Sequence, residues 1–326
     1  MLCILNNSTE PYFNLAAEEY FFNNFSENIF MLWRNSPAII VGKHQNTLAE
    51  INYDYVKENN IKVVRRMTGG GAVFHDLGNI NFTFIETGES EKLVDFRKYV
   101  QPILDILLKL GVNAKFEGRN DLTIDGKKFS GNAEHVYKNR ILHHGTILFS
   151  AKMSDLSQAL NVKDVKYTDK AVKSVRSRVT NVSEHLQTPL TVLEFINLVF
   201  NHILEMYEDA KIYEITEEDI KKINELVEKK YSTWEWNFGY SPEYNFSKSV
   251  RTEGGTLEVA MFVENGVIQR LRFYGDFFTH KDITEIEEAF VSIPHKEEEI
   301  KQVLSRYNLD DYFFNINQND ILSAMF

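Results

Sequence analysis

Apolar positions recur along this chain in two rhythms, one of period two and one near 3.6. Ile61 to Val64 is a short β-branched run, and Ile80 to Ile85 alternates, so both read as strands. Residues 29–42 hold two apolar runs split by Asn35, Ser36 and Pro37, which predicts a pair of strands. Asp125-Gly126 and Asn265-Gly266 each sit between extended runs, the second between 257–263 and 267–273, and both signal hairpin turns. Residues 10–25 carry Leu15, Tyr20 and Phe22 at helical spacing, with Asn14 as N-cap and Glu18 and Glu19 in the first turns. A helix over 93–111 follows from Phe96, Val100, Ile103, Leu104, Leu107, Leu108 and Leu110; Pro102 kinks or breaks it, and Gly111 stops it. Further helices are predicted near 50–59, 191–207, 216–230, 282–292, 295–307 and 317–326. Aromatic residues crowd into 231–246, and the pattern then fades around Pro242. That places a boundary near 245, between a domain over 1–245 and a smaller α+β domain over 246–326.

Composition narrows the class. The 326 residues are 43% hydrophobic and 25% charged, as in an ordinary globular protein. No apolar run is long enough for a transmembrane helix, and no signal peptide is evident. The single cysteine, Cys3, excludes an intrachain disulfide and a cysteine-based zinc site, so a reducing, cytoplasmic setting is expected. A formal net charge of −11 argues against a general nucleic-acid binder. The charge is uneven, however. Residues 127–178 hold eleven Lys/Arg against four Asp/Glu, whereas 248–326 hold eight against fourteen. A basic segment inside an acidic chain suits an anionic ligand or an acidic partner.

Chemistry concentrates at 65–79, RRMTGGGAVFHDLGN. Three consecutive glycines lack Cβ atoms, so backbone can approach a ligand closely and turn its N–H groups on an anion. Arg65 and Arg66, read as strand residues, point to opposite faces, which sends one guanidinium toward the glycines. The string is neither a Walker loop nor a dinucleotide fingerprint. A second stretch, NDLTIDGKKFSGNA at 120–133, brings Lys127 and Lys128 onto the return strand of a hairpin. LHHGTILF at 142–149 reads as a strand on which His143 and His144 face opposite ways, which argues against a shared metal and leaves Gly145 and Thr146 to line a pocket. His75-Asp76 has no G-x-S-x-G elbow to make it a hydrolase.

The 65–79 string closely resembles the signature of lipoate-protein ligases, in the lipoate/biotin ligase superfamily. GRNDLTIDGKKFSGNA at 118–133, LHHGTILF, and SVRSRVTN at 174–181 fall in the same order. The resemblance implies an α+β fold: a large catalytic domain of mixed sheets flanked by helices, then a small α+β accessory domain. It implies ATP-dependent adenylation of lipoate, with Mg²⁺. Transfer to a lysine of lipoyl domains of 2-oxoacid dehydrogenase complexes, or of the glycine-cleavage H protein, would follow. Lys128 falls at the catalytic lysine position. Arg66, Gly70, Gly71, Ala72, Val73, Phe74, His75, Asn79 and Thr146 would hold the lipoyl-adenylate, Asn120 and Asp121 the nucleotide, and Asp121 the metal. The basic segment 161–181 would fold over the adenylate. Neither nucleic acid nor membrane is implied as a partner. A related acyltransferase would need a cysteine nucleophile, and no cysteine follows Cys3. A non-catalytic lipoyl-binding protein would not need Lys128, and a biotin ligase would carry its own glycine-arginine string, which is absent.

Overall fold

The structure is a computed structural model. It describes residues 1–88, 95–118, 120–160, 165–169, 178–275, 277 and 281–326, with backbone alone at 156 and 165–169. The chain opens with β1 (Leu2–Leu5), α1 (Pro11–Asn24), β2 (Ile29–Trp33), β3 (Ala38–Val41), α2 (Thr47–Glu50) and α3 (Tyr53–Glu58). Next come β4 (Lys62–Arg65), β5 (Val73–His75), β6 (Asn79–Thr87) and α4 (Phe96–Lys109). The middle holds β7 (Ala114–Glu117), β8 (Asp121–Ile124), β9 (Lys127–Tyr137), β10 (Arg140–Leu148), α5 (Met153–Ala159) and β11 (Val165–Asp169). Then follow α6 (Val192–Met206), β12 (Lys211–Ile212), α7 (Glu217–Leu226) and β13 (Tyr244–Thr252). The last elements are β14 (Gly255–Glu264), β15 (Val267–Gly275), α8 (Thr284–Ala289), α9 (Glu297–Leu304) and α10 (Gln318–Met325). No helix among the described residues is long and apolar enough to cross a membrane.

The chain divides into two compact units, the first made of 1–43, 61–157 and 174–233. Its larger sheet has eight strands in the order β12-β1-β2-β6-β10-β9-β8-β7. Alternation along the strands gives this sheet two different faces. Phe30, Leu32, Phe82 and Phe84 point to one of them and form a core with Tyr99, Ile103 and Leu107 of α4 and Phe195, Val199 and Ile203 of α6. Burying these side chains on both elements supplies the main apolar driving force of the unit. The other face carries polar residues. A second sheet of three strands runs β4-β3-β5.

The second unit comprises 44–60, 158–173 and 234–326. Its sheet runs β11-β13-β14-β15, and Leu257, Val259, Met261 and Val263 of β14 are all buried on one face. Ile286, Ile300, Ile321 and Met325 of α8 to α10 are buried as well. The Asn265-Gly266 turn has φ of 50° and 73°, the left-handed pair that a two-residue hairpin requires.

Several elements depart from what the pattern implies. The two runs in 29–42 are strands, but β2 pairs with β1 and β6 whereas β3 pairs with β4 and β5 in the other sheet. Pro37 lies between them, where the chain leaves one sheet for the other. Pro102 neither breaks nor ends α4, which runs unbroken from Asp95, whose side chain accepts from the N–H groups of Arg97 and Lys98. In α1 the N-cap is Glu10. Asn14 is instead fully buried, and its side chain bonds loops on either side. Within the basic segment 161–181, β11 pairs antiparallel with β13, while 161–164 and 170–177 lie outside the described residues.

Candidate active site

The polar face of the large sheet carries one continuous row of side chains across five strands. Trp33 of β2 stands opposite Asn81 of β6, and Asn81 opposite Thr146 of β10. The N–H of Gly131 in β9 donates to Thr146 Oγ1 at 3.3 Å, and Gly131 stands opposite Asp121 of β8. Directly opposed residues share a face, so the row runs at right angles to the strands. Three strand spacings separate Asn81 from Asp121, roughly 14 Å. The Trp33 end is closed, with Trp33 3% and Asn81 2% exposed. The Asp121 end is open.

Lys128 occupies the open end. The Asp125-Gly126 turn, with φ of 50° and 71°, delivers β9 back along β8, and the register slips after Leu122 so that Phe129 is the extra residue. Lys128 Nζ then lies 2.7 Å from Asp121 Oδ1. It also lies over Gly131, where a Cβ would come within 3.0 Å of Nζ. The lysine backbone is pinned by its N–H to Arg178 O and by Thr180 N–H to its own carbonyl. Lys127 is exposed on the other side of the hairpin. Asn120 directs its amide to the carbonyl of Asn132 at 2.6 Å, so it braces the hairpin.

The glycine triplet is no hairpin, because β4 and β5 both pair with β3 and the loop crosses over it. Arg66, 6% exposed, organises that loop. Its guanidinium donates to the carbonyls of Ile40, Gly69 and Gly71 and to Thr68 Oγ1. Arg65 is buried too and donates to the carbonyls of Gly42 and Lys43. Arg66 is thus the guanidinium sent toward the glycines, and both arginines hold backbone. A buried guanidinium has five N–H donors to satisfy, and backbone carbonyls take a share of them here. Gly70 has φ of 93°, and a Cβ on Gly42 would meet Gly70 O at 2.0 Å, so these two backbones touch.

A hydrogen-bonded chain links the loop to the closed end of the row. Thr68 Oγ1 lies 2.8 Å from His144 Nε2, and His144 Nδ1 lies 2.9 Å from Glu18 Oε1. Thr83 Oγ1 donates to the same carboxylate at 2.6 Å and accepts from Trp33 Nε1 at 2.9 Å. Glu18 comes from α1, the helix that lies over this face. His143 points the other way and stacks on Tyr99 and Phe82, with Glu134 2.9 Å from its Nδ1. Burial holds His143 well below its usual pKa and pushes the Glu134 carboxyl up to about 7. Gly145 also faces away: a Cβ there would strike Asn132 and Phe82, so it serves packing and not the pocket.

Comparison with known proteins bears on this arrangement. Residues 10–204 match the family model of the lipoyl protein ligase A/B catalytic domain, and 241–325 match that of the bacterial lipoate protein ligase C-terminus. Lipoate–protein ligase 1 of Staphylococcus aureus is 41% identical over 322 residues, covering 98% of each chain. The chain belongs to the lipoate-protein ligase family. A Bacillus subtilis lipoate-protein ligase is 40% identical over the full length of both chains. Among solved structures, Plasmodium falciparum LipL1 in complex with lipoate aligns over 99% of this chain and 98% of its own, with a TM-score of 0.64 and 27% identity. A lipoate-protein ligase A bound with ATP aligns over 73% of this chain and 98% of its own, with a TM-score of 0.63 and 28% identity.

Against that family, the residues singled out in the sequence fall into three places. Lys128, Asp121 and Thr146 stand on the row, with Asn120 beside them. Asn79 is fully buried on the same face, two residues before Asn81. Arg66, Gly70 and Gly71 form the loop, and Ala72, Val73, Phe74 and His75 continue it into β5, where His75 lies with its ring 6.3 Å from Trp33. The sequence reading missed Trp33, Asn81, Glu18, Thr68, Thr83 and His144 as a connected set. Their common face becomes visible only when strand register is known.

Proposed function

We propose that this chain activates lipoate with ATP and transfers the lipoyl group to a lysine of an acceptor protein. The observation that carries the reading is the row: a fixed ammonium at its open end, a buried closed end, and a span suited to an extended lipoyl chain. The lipoate carboxylate would lie at Lys128 and its dithiolane ring near Trp33. Attack of the carboxylate oxygen on the α-phosphorus brings two anions together. An ammonium between them offsets that repulsion. A unit charge pair about 4 Å apart contributes roughly 4 kcal/mol at an effective dielectric near 20. Realised only in the transition state, this is on the order of a thousandfold in rate. The glycine loop, held open by Arg66, offers backbone N–H groups to the adenylate.

Mg²⁺ is bound through one or two carboxylates together with substrate phosphates, and not by an all-protein cage. The donor set fits that pattern, since Asp121 brings one carboxylate to the open end with one oxygen on Lys128. Asp121 would hold the ion, which neutralises phosphate charge when bound. Lipoyl domains of 2-oxoacid dehydrogenase complexes and the glycine-cleavage H protein are the proposed acceptors, in the cytoplasm. Incubation with ATP and lipoate should release pyrophosphate and leave lipoyl-AMP on the protein; addition of an apo acceptor domain should then yield its lipoyl-lysine. Absence of pyrophosphate release from folded protein would overturn the reading.

A further inference from the structure

The closed end of the row holds three buried polar atoms with no partner among the described residues: His75 Nε2, Asn79 Oδ1 and Asn81 Nδ2. Asn79 and Asn81 are neighbours on one face, joined by Asn79 Nδ2 donating to Asn81 Oδ1 at 3.0 Å. Turning both amides over exchanges the roles but still leaves one donor and one acceptor open. Trp33 connects this pair to His75, standing opposite Asn81 and with its ring 6.3 Å from the imidazole. Buried polar groups are nearly always paired, so open donors at this end mark a place where an acceptor atom of a ligand completes the bonding.

The protonation of His75 is set from behind. Asn6 Nδ2 donates to Asn14 Oδ1, Asn14 Nδ2 to Asn35 Oδ1, and Asn35 Nδ2 lies 3.1 Å from His75 Nδ1. Because Asn35 Oδ1 already accepts, its amide nitrogen must face the ring, and His75 Nδ1 must accept. The proton then sits on Nε2, the orphan atom. Burial, with Arg66 and His144 nearby, lowers the pKa of His75 to about 3, so the ring is neutral.

We propose that this floor recognises the sulfur end of lipoate and discriminates it from a straight-chain acid of the same length, with Asn35 as the positioning residue. The proposal rests on the ligase reading and names the selectivity of that same site. A dithiolane sulfur is a soft acceptor that can take the N–H of His75 or Asn81 and pack against the Trp33 ring edge. The terminal methyl of octanoate can pack there but accepts no hydrogen bond, and it would seal the donors away from water while leaving them unpaired.

The test compares equilibrium binding of lipoate and octanoate by calorimetry. The wild type should bind lipoate about fivefold or more tightly. Asn35→Asp is isosteric and accepts where Asn35 donates. It should move the His75 proton to Nδ1 and lower the ratio, with the Asn81 donor left in place. Long-range ¹H–¹⁵N spectra of the imidazole should show Nε2 protonated in the wild type and Nδ1 protonated in the variant, a signature that lost packing alone would not produce. Equal affinities for the two acids in the wild type, or a wild-type proton on Nδ1, would overturn the proposal. The tautomer measurement decides it even if Asn35→Asp does not fold. Selective lipoate binding without pyrophosphate release would support this floor while overturning the ligase reading, so the two failures are distinct.

Discussion

Lys128 Nζ and Asp121 Oδ1 stand 2.7 Å apart across the β8–β9 hairpin, and the space Nζ occupies exists because residue 131 has no side chain. The pair fixes where positive charge sits at the open end of the row. Lys128→Ala should lower adenylation by about a thousandfold while the protein stays folded, because a half-exposed ion pair contributes little stability. Gly131→Ala should give a smaller loss in kcat by pushing the ammonium aside. Lys127→Ala, on the exposed side, should be nearly silent. Pyrophosphate release near the wild-type rate in Lys128→Ala would show that the ammonium is not used.

The glycines around the loop make unequal demands. A Cβ on Gly42 would strike the Gly70 carbonyl at 2.0 Å, backbone against backbone, whereas one on Gly69 meets nothing within 4 Å among the described residues. Gly42→Ala should therefore displace the loop and weaken lipoyl-AMP binding at least tenfold. Gly69→Ala should change stability by less than about 0.5 kcal/mol and leave binding intact. Calorimetric affinities of the two variants check the contrast, and equal losses would mean that loop flexibility matters more than that contact.

Cys3 is fully buried in the apolar core on the face away from the row, and burial pushes its thiol up to about 11. A thiol so protonated and so placed is a poor nucleophile. Cys3→Ser should retain most ATP-dependent lipoylation in folded protein. No lipoyl transfer between carrier domains should occur without ATP. A thioester trapped on Cys3 would reverse this and favour a transferase.

In the second unit, His295 accepts from Tyr244 Oη at Nδ1 and donates from Nε2 to Met325 O, and burial lowers its pKa to about 4. The unfolded chain takes up a proton near pH 6.5, and the folded one does not until about 4. Stability is thus fully present above pH 6.5 and falls as the pH drops through that window, by up to about 1.4 kcal/mol per pH unit for this group. Glu134, raised to about 7, works in the opposite sense on the other unit. His295→Gln keeps a donor and an acceptor but cannot titrate, so urea midpoints of the variant should vary less steeply between pH 6.5 and 4.5. An unchanged slope would mean the unfolded state keeps the histidine neutral.

The boundary near 245 remains a proposal about folding units. Differential scanning calorimetry of the full chain should resolve two transitions, with lipoate and ATP raising chiefly the one that belongs to the catalytic part. One transition shifted as a whole would argue for a single cooperative unit.

The sequence by itself determined the local matters: the Asp125-Gly126 and Asn265-Gly266 turns, the helices with 3.6-residue periodicity, the glycine string and the family it marks. Each depends on residues within a few positions of one another, where propensity, turn chemistry and alternation act directly. Tertiary structure decided which strands lie side by side. The split of 29–42 between two sheets, the crossing of the glycine loop over β3, and the turning of Arg65 and Arg66 onto backbone carbonyls all depend on partners far along the chain. The row from Trp33 through Asn81, Thr146 and Gly131 to Asp121 draws on five strands, and a slip of one residue in any of them would turn its member to the other face. Lys128 could be named from its string alone. That Glu18, His144 and Thr68 connect the loop to Trp33, and that Asn35 sets the proton on His75, follows only from register and from the burial that forces each polar atom to find a partner.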